Sequence, residues 1–216
     1  MLDSACIIGV GGLGCPASLA LLHAGVSRLT LVDPDVVELS NLHRQLWHTE
    51  ADLGRPKVES AATKIRAAFA TVAVRERQER VTAQNAAQVF AGHSVIIDAT
   101  DGVETKFLLS DTAVQTGATL IYGGVLRFEG LALRIEPGGP CLRCLFETVP
   151  TDAATCAQAG VMGSVAGVIG ALQAQLALSA NPISGQSTLH IVDGLALEAR
   201  SLTLRQRPEC GLHLRP

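Results

Sequence analysis

A doubly wound α/β fold with a mostly parallel sheet is predicted by three features of this 216-residue chain. Short apolar runs alternate with helical segments through the first two-thirds. The first run leads directly into a glycine-dense turn. The second run ends on an aspartate. A β-α-β-α order implies parallel strands joined by right-handed crossovers. Hydrophobic residues make up 48% and charged residues 17%, which excludes a disordered tail or a coiled coil. A chain of this size buries on the order of 70% of its unfolded surface, so it needs no disulfides.

Taken in order, residues 5–10 read as a buried strand, 13–24 as a helix and 28–32 as a second strand. Val58, Ala61, Ala62, Ile65 and Phe69 fall near helical spacing, so 57–69 is a helix. Residues 72–77 form a short strand and 83–90 a helix. Val95, Ile96, Ile97 and Asp98 end a strand, followed by a helix over 105–115 and a strand over 119–122. The pattern changes after Gly123-Gly124. Residues 125–135 read as extended chain with an antiparallel option, Pro137-Gly138-Gly139-Pro140 as a loop and 161–180 as a long apolar helix. Residues 188–192 and 197–204 form a last strand pair around Asp193-Gly194. The sheet is thus expected to continue as antiparallel strands within one unit, 1–216. Its nucleotide-binding half is 1–135 and its second half 136–216.

Two charge-free stretches, 4–27 and 153–192, imitate membrane spans. Glycines and Pro16 interrupt the first, and glutamines and Asn181-Pro182 the second, so both read as buried protein. No positively charged leader precedes the first, which predicts a cytoplasmic protein. Seventeen basic against 20 acidic residues leave a net charge of −3, without the basic field that nucleic-acid binding needs. One Trp and one Tyr exclude base-stacking platforms.

Gly9-Val10-Gly11-Gly12-Leu13-Gly14 matches G-x-G-x-x-G between a strand and a helix. Such glycines let a phosphate approach backbone N–H groups at a helix N-terminus. Asp33, nineteen residues after Gly14, stands where a carboxylate grips a ribose hydroxyl. The fold expected is therefore Rossmann-like, with an adenine nucleotide as ligand. Ser40-Asn41-Leu42-His43-Arg44-Gln45 and Arg55-Pro56-Lys57 follow the second strand, on the same rim. Arg44 offers a planar fork for phosphate oxygens and Lys57 a point charge. Asn41 can orient either one. Surface salt bridging is the alternative for both cations. Asp101, after the fourth strand, is a candidate Mg²⁺ ligand or else half of an Asp-Gly turn, and Asp98 a structural strand end.

Cys141-Leu142-Arg143-Cys144 and Cys210-Gly211-Leu212-His213 form a C-x-x-C and a C-x-x-H knuckle, sufficient together for a tetrahedral Zn²⁺ site. Cys6 and Cys15 read as small core residues. Cys156 lies in a small-residue stretch before the long helix, and is either a nucleophilic or persulfide-accepting thiol or a partly buried one.

Together these motifs, with Thr100-Asp101 and Thr155-Cys156-Ala157-Gln158-Ala159-Gly160-Val161, resemble the ThiF/MoeB/HesA family, relatives of ubiquitin-activating enzymes. The resemblance implies ATP- and Mg²⁺-dependent adenylation of the C-terminal glycine of a ubiquitin-like sulfur-carrier protein ending in Gly-Gly. It implies that Gly9, Gly11, Gly12 and Gly14 cradle the nucleotide and that Asp33 holds its ribose. Ser40, Asn41, Arg44 and Lys57 would handle the phosphates, Asp101 the metal, and Cys141, Cys144, Cys210 and His213 the zinc. Cys156 matches the family's cysteine of covalent carrier attachment. A homodimer is implied as well, with a sulfurtransferase or cysteine desulfurase as sulfur source. Three departures stand out. With the first strand expected to start at about Ser4, the arginine that reaches a partner subunit's ATP is expected to be missing, through a truncated or mis-started chain or with impaired catalysis. Gly102 and Lys106 stand for the usual asparagine and arginine, and His213 for the last cysteine. The rival readings are an NAD-dependent oxidoreductase, which leaves Arg44, Lys57 and the cysteines unexplained, and a non-catalytic nucleotide-binding scaffold.

Overall fold

The computed structural model describes residues 2–146, 160–179 and 185–213. Its centre is an eight-stranded sheet in the order β3-β2-β1-β4-β5-β6-β7-β8. The strands β1 (Ser4–Ile8), β2 (Arg28–Val32), β3 (Ala73–Arg77), β4 (Val95–Asp98) and β5 (Thr119–Leu126) pair in parallel. β6 (Glu129–Ile135), β7 (Gln186–Asp193) and β8 (Glu198–Arg205) continue the sheet antiparallel. The helices are α1 (Gly14–His23), α2 (Lys57–Ala68), α3 (Ala86–Phe90), α4 (Val103–Thr116), α5 (Leu142–Leu145) and α6 (Gly163–Leu178).

The central strands are continuously apolar because they are covered on both faces. Ala5, Ile7 and Ile97 point into a layer with Leu21 of α1, Ile65 of α2 and Ile169 of α6. Their neighbours Cys6, Ile8 and Ile96 point the other way, onto Val89 and Phe90 of α3 and Phe107 and Leu109 of α4. Burial pushes the Cys6 and Cys15 thiols up to about 12, so both are inert core residues, as the sequence predicts.

The two charge-free stretches find their explanation here, since α1 and α6 pack against each other as well as on the sheet. At their crossing a Cβ on Gly170 would strike the carbonyl of Leu13 and lie 2.6 Å from Pro16 Cγ. Within α6, Gln173 is fully buried, and its amide donates to the carbonyls of Asp98 (2.7 Å) and Ile121 (3.1 Å), tying the helix to both β4 and β5. Arg134 donates to the carbonyls of Leu176 and Ala177, satisfying the C-terminus of α6. No helix among the described residues is long and apolar enough to cross a membrane.

The extended, antiparallel chain expected over 125–135 is the β5–β6 hairpin. β5 runs on to Leu126, and the chain reverses at Arg127, whose φ is +54°. Arg127 N–H donates to Gly160 and its carbonyl accepts from Met162, and these two bonds secure the turn without a glycine. The final pair turns at Asp193-Gly194 as expected. There Asp193 Oδ1 accepts the N–H groups of Leu195 and Ala196 at 2.9 Å.

Gly14 shows how tightly the first turn is built, because a Cβ there would fall on the carbonyl of Gly9. The obstacle is backbone and cannot swing aside. Gly14→Ala is therefore expected to destabilise the fold by about 1–3 kcal/mol, read as a lower urea midpoint at unchanged m-value.

Candidate nucleotide site and metal cluster

Strand order reverses between β1 and β4, and in open α/β sheets the crevice beyond that point is where ligands sit. The glycine loop crosses it. Gly9 has φ +96°, and a Cβ there would stand 2.5 Å from the carbonyl oxygen of Ala99, just past β4. Only glycine suits both the conformation and the approach. The loop delivers the chain to the N-terminus of α1, whose first turn carries no acid.

Asp33, at the tip of β2, is 5% exposed. Its Oδ2 accepts the N–H of Val10 at 2.7 Å and its Oδ1 that of Asp35 at 2.8 Å. Burial raises its pKa, against the opposing pull of Lys57 and the two backbone N–H groups. Each oxygen keeps a lone pair for a ligand hydroxyl.

Arg44 lies along the loop. A Cβ on Gly12 would be 3.2 Å from its Cγ and Cδ. Its guanidinium donates to Asn41 Oδ1 at 2.7 Å, and Asn41 in turn donates to Glu38 Oε2 at 3.1 Å. Ser40 sits with Asn41 in a short 3₁₀ turn, Leu39–Asn41, and is exposed. A cleft of about 530 Å³ beside Arg44 is lined by His43, Pro16, Met162 and Gly163. Lys57, the first residue of α2, is 7% exposed. Its ammonium donates to Asp35 Oδ2 at 3.0 Å, leaving two N–H donors.

The two acids after β4 have opposite settings. Asp101 is exposed ahead of α4. Asp98 is fully buried, as a structural strand end should be. It accepts from Thr100 Oγ1 at 2.7 Å and from Lys106 at 3.3 Å on both oxygens. Lys106 also donates to the Gly123 carbonyl at 2.5 Å, so this cation braces the strands beneath the rim. Cys156 lies outside the described residues.

Sequence reasoning passed over Asp35, His48 and Ser60, which form no spaced motif. It assigned no role to Gln45, which is 3% exposed beside Gly11 with Oε1 unpartnered among the described residues. A buried amide oxygen left unpaired is costly, and the available signal was its place at the end of the Ser40–Gln45 motif.

The knuckles do meet. One ligand atom each from Cys141, Cys144, Cys210 and His213 lies within 4.8 Å of all the others. Cys141 Sγ is 3.9 Å from Cys144 Sγ and 3.8 Å from Cys210 Sγ. Zinc–sulfur bonds of about 2.3 Å in a tetrahedron put sulfurs about 3.8 Å apart. His213 Nε2 is buried without a partner among the described residues, and Arg207 N–H donates to Cys144 Sγ. The donor set and spacing fit zinc. Burial, with Cys144 and Cys210 alongside, pushes the Cys141 thiol up to about 12, a penalty that a bound dication reverses. Arg143 makes a two-pronged bond to Asp111, and Leu142 N–H donates to Ser110, so the cluster is anchored on α4.

Fold and sites define a Rossmann-like α/β protein with a glycine loop at the switch point and a Cys₃His cluster that could hold a metal ion. The model of the ThiF family matches residues 3–212, and the chain belongs to that family. It is 41% identical over 211 residues to the adenylyltransferase and sulfurtransferase MOCS3 of Arabidopsis thaliana, covering 95% of this chain and 46% of that protein. It is 38% identical to the SAMP-activating enzyme E1 of Haloferax volcanii, covering 94% of this chain and 77% of the relative. It is 37% identical to the sulfur carrier protein adenylyltransferase of Thermus thermophilus, covering 96% and 80% respectively. The chain thus spans about half the length of the MOCS3 relative and more of the other two. Among solved structures, E. coli MccB with AMPCPP and MccA shares the fold, with a TM-score of 0.82 at 18% identity, over 97% of this chain and 66% of MccB.

Proposed function

We propose that this protein uses ATP to adenylate the C-terminal glycine of a ubiquitin-like sulfur-carrier protein. One observation carries the reading: Gly12, Arg44, Asp33 and Lys57 converge on the crevice where the sheet order reverses. The activities named for the relatives from Haloferax and Thermus support it. The carrier's terminal carboxylate, ionised at pH 7, attacks the α-phosphorus in line. An acyl–phosphate bond forms, the α–β phosphoanhydride bond breaks, and pyrophosphate leaves with the electron pair. No general base is needed, so positioning and charge stabilisation supply the catalysis. Asp33 grips the ribose, and Ser40, Asn41, Arg44 and Lys57 hold the phosphates. Asp101 would hold Mg²⁺, which neutralises phosphate charge when bound.

The half comprising 136–216 supports the carrier, with zinc on Cys141, Cys144, Cys210 and His213. The Cys156 thiol either attacks the acyl-adenylate, forming a thioester as AMP leaves, or accepts sulfane sulfur from the persulfide of a sulfurtransferase or cysteine desulfurase, whose cysteine departs as the thiol. We place this chemistry in a cytoplasmic homodimer. An NAD-dependent oxidoreductase would have no use for a second cation beside Arg44. The deciding measurement is carrier-dependent ATP–pyrophosphate exchange. Exchange that rises with a carrier ending in Gly-Gly, and vanishes when the tail is removed, is expected. ATP binding without exchange toward any such carrier would leave a nucleotide-binding scaffold in its place.

A further inference from the structure

Five hydrogen bonds close into a ring behind the glycine loop. Lys57 donates to Asp35 at 3.0 Å, and Asp35 N–H donates to Asp33 at 2.8 Å. Val10 N–H donates to the other oxygen of Asp33 at 2.7 Å. The Val10 carbonyl is 3.0 Å from His48 Nε2, and His48 Nδ1 is 2.9 Å from Ser60 Oγ. Ser60 stands one turn beyond Lys57 on α2, so the helix backbone completes the circuit. A carbonyl can only accept, so Nε2 carries the hydrogen, and in the neutral ring Nδ1 accepts from the serine hydroxyl. Val10 is thereby held at both of its polar groups.

The ring is dry. His48 is 5% exposed and Ser60 fully buried. Bonds in such surroundings are strong, and breaking the His48 bond leaves the buried Val10 carbonyl with only the weak Cys15 S–H donor at 3.6 Å. Val10 and His48 are 38 residues apart, so no local turn substitutes for their bond.

We propose that His48 is a positioning residue, which with Ser60 sets the spacing between the phosphate-facing glycine loop and the Lys57 ammonium. The inference rests on the ATP reading above. Its signature is weakened nucleotide binding from a side chain that never touches nucleotide.

The test compares His48→Phe, which keeps a ring but neither hydrogen bond, with His48→Gln, which keeps one donor and one acceptor. In the nucleotide-free full chain, amide exchange over residues 9–14 is expected to quicken about tenfold in the phenylalanine variant and to recover with glutamine. In pyrophosphate exchange, KM for ATP should rise about 10- to 100-fold in His48→Phe, with a smaller change in kcat and substantial rescue by glutamine. Wild-type exchange and KM in His48→Phe would overturn the inference. So would a uniform rise in exchange across the sheet with no rescue, which is the mark of simple core filling. Should His48→Phe not fold, Ser60→Ala reads the same two quantities, and wild-type values there are equally fatal. A wild-type protein without pyrophosphate exchange removes the proposed function, while amide exchange still decides whether His48 holds the loop.

Discussion

Replacing Cys141 and Cys144 together by serine is expected to remove the bound metal, falling from about one zinc per chain to none by elemental analysis. Three buried sulfurs with 3.8 and 3.9 Å separations are arranged for one ion, and the double variant leaves only Cys210 and His213 to hold it. Structural zinc sites contribute folding free energy outright, and a loss on the order of 5 kcal/mol is expected. For a domain of this size that lowers Tm by about 10–20 °C. The affected region should be α5 and the turn through Cys210, while the glycine loop retains its hydrogen-exchange protection. Zinc retained by the double variant would mean that other residues bind it.

Lys57→Ala is expected to lower kcat for pyrophosphate exchange by about 10²–10³-fold. The ammonium is nearly buried, held at one point by Asp35, and has two donors left for phosphate oxygens. Its removal leaves Asp33 and Asp35 to face an anionic ligand without compensation. Asp35 is half exposed and can be solvated, so folding should change little. Lys57→Arg should restore only part of the rate, since a planar fork cannot reproduce a compact charge at the same place. Rates within threefold of wild type in Lys57→Ala would remove this residue from the site.

Most of the parallel half was legible because its signals are local. A strand, a glycine turn and a terminal acid recur at short range, so β1, α1, β2 and Asp33 could be read directly. The cluster of Cys141, Cys144, Cys210 and His213 was legible as two spaced pairs. What escaped depends on distant contacts. The reversal at Arg127 carries no glycine, because the strand leading into α6 holds it. His48 and Ser60 acquire a role only once α2 stands beside the glycine loop. Lys106 was conspicuous as one of three lysines, yet its charge is spent inside the sheet on Asp98.

Cys141 and Cys210 are 69 residues apart, and the interval contains α6, β7 and β8. The cysteines belong to one layer of the protein and α6 to the other. A metal at the cluster therefore works like the buckle of a belt passed around the sheet. Fastened, neither layer can peel away without straining the other, and unfastened, the antiparallel edge becomes the natural entry for proteases. The supply of zinc would then govern how long the molecule survives, quite apart from how fast it turns over.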